Sequence, residues 1–554
     1  MKTGTTGVSH RTVLTRCLIG LLFLPGPVEG QDPLQGRTAA GSLGSVEFPI
    51  SCRSEVRPEF ERAVALLHHM TYPQAREAFE GVAERDPNCA MAHWGVAMTL
   101  FQPLWPNRPD AHALRRGWDA VRHARSLGPV TDRERRFLDA AEAFFREGPE
   151  SVDYWTRIER WERASAALHQ AHPEDPEAAA LHALARLALA QRSGSGVEDR
   201  AAAAQLLLAI HQRNPLHPGA IHYTIHANDA AGRERESLAI VRSYGRIAPD
   251  NPHALHMPTH IFVRLGSWPD VIEGNRRAAD AALRHPAGEY VWDEFPHAIE
   301  YLVYAHLQRG DDEAAATEMR RLLNTAALQP TFKTAFHLAS IPARHALERG
   351  AWREAAALEP REPEWVEWDR YPWPEAITWF ARGLRSARTG DLTAARASLE
   401  RLAELRNRAD EAGEPMFARE IEILMLEAEA WIARGSGDAA QALQLLNQAA
   451  SLEDATPKNP VTPAPTVPAR QLLGDLLLDL DRPREALAAY EHSLRNMPGT
   501  FNSLLGAARA AAAAGDPARA RTFYERLLQQ VVPGSTRPGV SEARRYLEAA
   551  APAW

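Results

Sequence analysis

Histidines recur in this sequence at spacings that suit metal chelation. His222 and His226 are four residues apart, and so are His256 and His260. On an α-helix, this spacing places both imidazoles on one face, one turn apart. Two imidazoles in this arrangement are typical ligands of a borderline transition metal such as zinc or copper. The second pair follows the first after 34 residues, so the pattern repeats as a unit.

Glycines that predict turns after helices fix the register of this repeat. Gly232 and Gly266 are 34 residues apart, and Gly310 and Gly350 follow at spacings of 44 and 40. Positions 13, 10 and 6 residues before such a glycine share one face of a helix. Among the residues at these offsets are His222, His226, His253, His256, His260, His297, Glu300, Tyr304 and His337. Because neighbouring helices lie side by side, we expect these side chains to meet in one groove.

The register predicts a transition-metal site in this groove, occupied by zinc or copper. The predicted ligands are His222, His226, His256, His260, His297 and Glu300. Three further residues are expected to line the groove or to orient the ligands from behind: Asp229, His253 and His337. Imidazoles alone do not identify the metal, because affinity order and metal supply both decide which ion is bound.

An open coordination position at such a site would permit metal-assisted catalysis. Glu300 would then be the general base and Tyr304 the proton donor. The sequence lacks the His-Glu-x-x-His, Gly-x-Ser-x-Gly and phosphate-loop motifs of common enzyme families, so it does not decide whether the protein is an enzyme. Two alternatives without a metal stay open: a groove that binds a polar or anionic ligand, and histidines with a structural role only.

The elements that must position these residues are helical hairpins. Alanine, leucine, arginine and glutamate dominate the composition, which favours helix. Near the C-terminus, a turn residue, a small residue and an aromatic residue occur twice with a 34-residue spacing. The two copies are Asp481, Ala486 and Tyr490, then Gly515, Ala520 and Tyr524. This period predicts an all-α fold, a right-handed α-solenoid of tetratricopeptide-type helix pairs.

Changes in composition divide the chain into segments. The predicted divisions are a signal peptide at 1–30, an extended segment at 31–50, a solenoid with the histidine-lined groove at 51–355, a Pro- and Trp-rich connector at 356–374, helical hairpins at 375–454, a Pro-rich connector at 455–468 and C-terminal repeats at 469–554. Proline disfavours helix, so the second connector is expected to be extended. Either could lie along the concave groove of the solenoid and close it on itself.

The N-terminus has the features of a secretory signal. Basic residues precede a short apolar run at 17–24, and small residues before Gln31 suit cleavage. We therefore expect export to the periplasm or the extracellular space. Cys52 and Cys89 could form a disulfide there, and two buried thiols are the alternative.

Charge and hydropathy exclude two other classes of protein. The net charge is −8 and no basic stripe is present, which argues against nucleic-acid binding. After the signal segment, no stretch is apolar for long enough to span a membrane.

Several stretches resemble a group of uncharacterised bacterial tetratricopeptide-repeat proteins with His-rich repeats. They include HPGAIHYTIHAND, HALHMPTHIFVRLGSW and VTPAPTVPARQLLGDLLL. The resemblance covers nearly all of the chain after the signal segment and implies the solenoid fold, but it implies no activity. Three functions therefore stay open: an exported binding or scaffold protein with a metal site, a metalloenzyme (hydrolase or oxidoreductase), and a metal-free module that binds a protein or peptide.

Overall fold

A computed structural model describes Met1 and residues 42–549, except 106, 107, 129, 149, 150, 193–195 and 231. Apart from Met1, the predicted signal peptide at 1–30 lies outside the described residues. The first part of the predicted extended segment, 31–41, also lies outside them. Its remaining residues, 42–50, form no helix or strand.

Antiparallel α-helices make up most of the described chain. In chain order they are α1 (Arg57–His68), α2 (Tyr72–Arg85), α3 (Ala90–Thr99), α4 (Ala111–Ser126), α5 (Asp132–Phe145), α6 (Tyr154–Ala171), α7 (Pro176–Leu189), α8 (Val197–Arg213), α9 (Pro218–Asn228), α10 (Leu238–Ile247), α11 (Pro252–His256), α12 (Pro258–Leu265), α13 (Trp268–Arg284), α14 (Glu294–Gln308), α15 (Asp312–Leu323), α16 (Phe332–Glu348), α17 (Trp352–Ala356), α18 (Pro372–Arg388), α19 (Leu392–Glu411), α20 (Pro415–Gly435), α21 (Ala439–Asp454), α22 (Ala469–Asp479), α23 (Pro483–Asn496), α24 (Phe501–Ala513), α25 (Pro517–Gln530) and α26 (Pro538–Ala549). Short 3₁₀ turns occupy Ser54–Val56 and Trp368–Arg370. Apart from two isolated β-bridges, the described residues form no β-structure.

Small residues allow the two helices of a hairpin to approach closely. Gly474 on α22 and Gly506 on α24 both face the ring of Tyr490, and a Cβ atom at either glycine would lie within 3 Å of that ring. Gly95 on α3 faces Phe79 on α2 in the same way. An aromatic residue on one helix thus fills the space that a small residue on its partner leaves open. The predicted all-α solenoid of helix pairs is confirmed.

Contacts between distant helices close the solenoid on itself. In the N-terminal part, α1 packs against α9, and in the C-terminal part α14 packs against α24. The indole Nε1 of Trp268 donates to the carbonyl of Gly499 at 3.1 Å, and the side chain of Gln308 accepts from the backbone N–H of Phe501 at 2.8 Å. Arg537 donates to the carbonyl of Leu307 at 2.7 Å. The C-terminal repeats therefore dock on the start of α13 and the end of α14.

The two Pro-rich segments have different positions. Between α17 and α18, the first forms turns that include the 3₁₀ turn Trp368–Arg370, and its last residues begin α18 at Pro372. The second, 455–468, contains no helix and runs through the interior, where Arg344 donates to the carbonyls of Ala464 and Pro465 at 2.8 and 2.9 Å. This segment therefore covers the inner surface of the middle hairpins.

Near the N-terminus, Cys52 and Cys89 form a disulfide that joins the segment before α1 to the start of α3. None of the described helices combines the length and apolar character that crossing a bilayer requires.

Candidate metal centre

Two clusters of three imidazoles lie in the interior of the middle hairpins. In the first cluster, α9 supplies His222 and His226, and α11 supplies His253. The Nε2 atom of His222 lies 3.2 Å from Nε2 of His226 and 3.1 Å from Nε2 of His253. Three ring nitrogens from two helices thus converge on one point.

The second cluster has the same construction. His256 at the end of α11 and His260 on α12 bring their Nε2 atoms to 3.0 Å from each other. His297 on α14 joins them, with its ring centroid 4.3 Å from that of His256. All three side chains are buried. We name the first and second clusters site A and site B.

A single rule in the repeat register generates both sites. Each takes the residues 10 and 6 before one turn glycine and the residue 13 before the next. Applied a third time, the rule selects Glu300, Tyr304 and His337. There, Glu300 accepts a hydrogen bond from Nδ1 of His337 at 2.5 Å and from Ser340 at 2.7 Å, and it pairs with Arg344 at 3.2 Å. An internal ion pair therefore occupies the third position of the array.

Hydrogen bonds behind site A fix which nitrogen of each ring carries the proton. Nδ1 of His222 lies 2.6 Å from the carbonyl oxygen of His68, and Nδ1 of His253 lies 3.1 Å from a carboxylate oxygen of Glu294. Both oxygens can only accept, so each Nδ1 carries hydrogen. The Nε2 atoms of His222 and His253 therefore face each other with lone pairs, an arrangement that a shared cation stabilises.

The same reasoning applies to two ligands of site B. Nδ1 of His256 lies 2.7 Å from Oδ1 of Asn275, whose amide nitrogen donates to the carbonyl of Val271 and so fixes the orientation of the amide. Nδ1 of His260 donates to Asp229 at 3.0 Å. The Nε2 atoms of both histidines thus have lone pairs directed into the site.

A chain of hydrogen bonds orients the third ligand of site B. Because Glu300 accepts from Nδ1 of His337, Nε2 of His337 is an acceptor, and it lies 3.0 Å from Nδ1 of His297. His297 therefore donates through Nδ1 and directs its Nε2 lone pair towards His256 and His260. Glu300 thus acts on the site through two imidazoles, as a partner of the ligands.

These distances suit tetrahedral or similar coordination. With metal–nitrogen bonds of about 2.0–2.1 Å, two nitrogens of a tetrahedral site are about 3.3 Å apart. The Nε2 separations of 3.0–3.2 Å are close to that value. The two sites are neighbours, since the ring centroids of His226 and His260 are 6.5 Å apart and those of His253 and His256 are 6.4 Å apart. Two ions would therefore lie side by side.

Burial keeps these imidazoles in the form that binds metal. It holds the pKa of His222, His256 and His297 well below the ordinary range, and the neighbouring imidazoles add to the effect. Burial also lowers the pKa of His260 to about 4, against the opposing effect of Asp229. Neutral rings need not release a proton before they coordinate a cation, so affinity should persist in mildly acidic solution.

Asp229 lies between site B and a small cavity. Its carboxylate pairs with Arg264 at 2.5 Å and with Lys458 of the Pro-rich segment at 3.1 Å. A cavity of about 40 Å³ lies beside it, bounded by His226 and Asn459. That volume is sufficient for one or two small molecules such as water next to a metal ion in site A.

Tyr304, which was singled out from the sequence, has other surroundings. Tyr304 packs edge to face on Trp268, with ring centroids 5.6 Å apart. Tyr301 contacts site B instead, with its hydroxyl 3.4 Å from Nε2 of His260. Glu294, Asn275 and Tyr301 were not predicted to belong to the centre. The sequence contained no signal for these three residues. The constant offset from the turn glycines could have grouped His253 with His222 and His226.

In a third cluster, formed by His68, Glu177 and His217, every ring nitrogen has a hydrogen-bond partner. Nδ1 of His217 accepts from the backbone N–H of Ala220, so its Nε2 carries the hydrogen and donates to Glu177 at 3.1 Å. Nε2 of His68 lies 2.8 Å from the other carboxylate oxygen of Glu177, and Nδ1 of His68 lies 3.0 Å from the hydroxyl of Tyr223. No ring nitrogen here retains an unused lone pair, which indicates a structural role in the contact of α1 with α9.

Comparison with known proteins identifies the C-terminal repeats. Residues 472–534 match the family model described as tetratricopeptide repeat. These residues are similar to tetratricopeptide repeats. The resemblance found in the sequence is thus confirmed for this part of the chain, and repeats of this kind commonly form protein-interaction scaffolds. No curated protein matches the sequence significantly.

Two solved structures are among those that match this chain. A tetratricopeptide repeat protein from Parabacteroides merdae ATCC 43184 is 13% identical, and the match covers 54% of this chain and 97% of that chain, with a TM-score of 0.28. The APC/C hetero-tetramer Cut9-Hcn1 is also 13% identical, with 89% of this chain and 96% of that chain covered and a TM-score of 0.28.

Proposed function

We propose that this protein binds two transition-metal ions, zinc or copper, in sites A and B. The observation that supports this proposal best is the orientation of the ring nitrogens. In five of the six imidazoles, a hydrogen bond behind the ring assigns the proton to Nδ1 and leaves the Nε2 lone pair directed into the cluster. A metal-free packing role would not require all of these lone pairs to converge.

The ligand type narrows the identity of the ion. Neutral imidazoles suit zinc and copper, whereas magnesium and calcium prefer oxygen ligands. Three imidazoles per ion leave a coordination position free for water or another small molecule. The cavity beside His226 provides space for it in site A. This arrangement favours a metal centre that exchanges ligands over one that only stabilises the fold.

The solenoid supports a role in the assembly of protein complexes as well. Tetratricopeptide repeats commonly present a surface to protein partners, and the C-terminal repeats would serve that role. We also propose that the protein is exported, since the N-terminal sequence resembles a secretory signal and Cys52 pairs with Cys89, which suits an oxidising compartment.

Metal analysis of the purified full chain tests the proposal. After reconstitution with zinc or copper and removal of excess ion, we expect about two equivalents of metal by mass spectrometry. His222→Ala should lose the equivalent in site A, His256→Ala the one in site B, and the double variant both. In the copper-loaded protein, electron paramagnetic resonance should show magnetic coupling between neighbouring ions.

The exposed His112 provides a matched control, because His112→Ala removes an imidazole away from both sites and should retain both equivalents. The proposal is wrong if the wild-type chain binds no more metal than the double variant, with both proteins folded by circular dichroism.

A further inference from the structure

A large cavity lies beneath the Pro-rich segment, beside the histidine centre. Its volume is about 600 Å³, within the usual range for sites that bind small organic molecules. Residues 455–467 form much of one wall, and α20 forms another. Asp229 and Lys458 line both this cavity and the smaller one beside His226. The large cavity is therefore continuous with the surroundings of the metal centre.

Besides Asp454, which pairs with Arg470, three carboxyl groups on α20 and α21 line this cavity: Glu420, Glu427 and Glu453. In the described part of the chain, no salt bridge reaches any of them. Glu427 is fully buried, and neither of its carboxyl oxygens has a hydrogen-bond partner. An unsatisfied buried carboxyl destabilises a protein by about 1–3 kcal/mol, more when it is ionised. Such a group in the wall of a cavity indicates a ligand that supplies the missing partner.

The rest of the wall near these carboxyls is apolar. Phe336 and Trp373 contribute aromatic rings, and Ile423 and Leu424 on α20 contribute aliphatic side chains. Aromatic faces attract organic cations, and aliphatic surface accommodates a hydrocarbon body. The combination differs from a metal site, since the three carboxyls do not form one of the compact ligand groups found among the described residues.

The raised pKa values of these carboxyls agree with the lack of a positively charged partner. Burial raises the pKa of Glu420 to about 7. Burial also raises the pKa of Glu427 well above the ordinary range, and Glu453 and Glu420 add to the effect. A bound cation would offset both causes, because it replaces solvent as the partner of the ionised form.

We propose that this cavity binds a small organic ammonium ion with an apolar body. The ammonium group pairs with Glu427 and its two neighbours, and the body lies against Trp373 and Phe336. This site goes beyond the metal function and does not depend on it. Elsewhere in the wall, Lys458 and Arg264 repel a positive charge, which restricts the ammonium group to the glutamates.

Isothermal titration calorimetry with phenethylammonium tests the assignment on the full chain, both metal-loaded and chelator-treated. We expect saturable binding to both forms at mildly alkaline pH. 2-Phenylethanol and 3-phenylpropionate, which replace the ammonium by a neutral and an anionic group, should bind at least about tenfold more weakly. Glu427→Gln should weaken phenethylammonium binding by at least about tenfold.

Glu422→Gln is the matched control, because it makes the same change on α20 at a residue that does not line the cavity. It should leave the affinity unchanged. Glu427→Gln should fold with an equal or higher Tm, since it removes an unpartnered buried carboxyl. The assignment is overturned if phenethylammonium does not bind, if Glu427→Gln binds it as tightly as wild type, or if the neutral and anionic probes bind equally well. Loss of metal binding by the histidine variants leaves this result unchanged, so the two proposals fail separately.

Discussion

Hydrogen-bond acceptors beside the Nδ1 atoms determine which nitrogen of each imidazole has a free lone pair. The backbone carbonyl of His68 and the side chains of Glu294, Asn275 and Asp229 each accept a hydrogen bond from one Nδ1 atom. Each of these bonds selects a tautomer and fixes the orientation of a ring. The chemistry of the centre therefore depends on residues that would not contact the metal.

Asn275→Leu tests this dependence at one residue. Leucine has a similar volume but cannot accept from Nδ1 of His256, so that ring can change tautomer or rotate. We expect the affinity of site B for zinc to fall about 10–100-fold. Site A, in the same molecule, is the control and should retain its affinity in a competition titration with a chelator.

Asn275→Asp should restore the affinity of site B, because a carboxylate also accepts the hydrogen bond. If Asn275→Leu binds both ions as tightly as wild type, the orienting role of Asn275 is wrong.

The sequence indicated which histidines lie together better than it indicated their hydrogen-bond partners. Two His-x-x-x-His pairs and a constant offset from the turn glycines place the imidazoles on one face of their helices. Asn275 lies on α13, and Glu294 begins α14 after a loop. Spacing within the histidine helices gives no information on how those neighbouring elements are rotated, so these partners could not be predicted.

At the scale of elements, the turn glycines hold the hairpins in register. Gly266 ends α12 with a φ of 65°, a left-handed conformation in which glycine avoids the strain of a side chain. It also lies against the C-terminal repeats, since an added Cβ would be 2.6 Å from the carbonyl oxygen of Pro498. This one turn therefore fixes a hairpin and a contact between distant parts of the solenoid.

Gly266→Ala should destabilise the protein more than Gly350→Ala. Gly350 has a similar φ of 62°, but an added Cβ there would meet no atom within 4 Å. We expect Gly350→Ala to cost about 1 kcal/mol from backbone strain alone, and Gly266→Ala about 2–3 kcal/mol. Urea denaturation midpoints measure the difference, and equal midpoints would contradict the close contact with Pro498.

The 34-residue period predicted the hairpins and their turns, but the third unit of the histidine array behaves differently. Glu300 and Arg344 form a buried ion pair there. Glutamate is a plausible metal ligand by residue type, so the sequence predicted it as one. The arginine that pairs with it lies 44 residues later, six residues before Gly350, so the buried ion pair joins two positions of the array.

At the scale of the whole molecule, closure buries many ionisable groups together. Burial lowers the pKa of His69 to about 3, although the carbonyl of Leu43 opposes the shift, and burial also lowers the pKa of His68. Burial likewise lowers the pKa of His222, His226, His256, His260 and His297. The metal-free fold thus keeps a set of imidazoles neutral, whereas the unfolded chain would protonate them below about pH 6.5.

The stability of the metal-free protein should therefore fall in mild acid. Because the unfolded state binds more protons, stability is retained above about pH 6.5 and decreases as the pH falls towards 4. Differential scanning calorimetry should show Tm falling steeply between about pH 6.5 and 5, above the range in which ordinary carboxyls titrate.

His69→Gln keeps a hydrogen-bond donor but removes one titrating ring, so its Tm should depend less steeply on pH. A Tm that stays constant over this interval would contradict the neutral state of the buried histidines.

Closure itself could not be predicted from repeat spacing. A repeat fixes how each hairpin meets the next, but the contacts of α1 with α9 and of α14 with α24 depend on curvature summed over several hairpins. Insertions that lengthen the spacing to 40 or 44 residues alter that curvature. The sequence suggested only that Pro-rich segments would take part.

The docking of Lys458 on Asp229 has a consequence for the order of assembly. Translation produces the histidine hairpins first, and Lys458 follows Asp229 only 229 residues later. Until the Pro-rich segment 455–468 is synthesised and has docked, the imidazoles are exposed on the side that this segment later covers. We expect newly made chains to take up ions quickly, and mature chains to exchange them at a rate set by detachment of the Pro-rich segment.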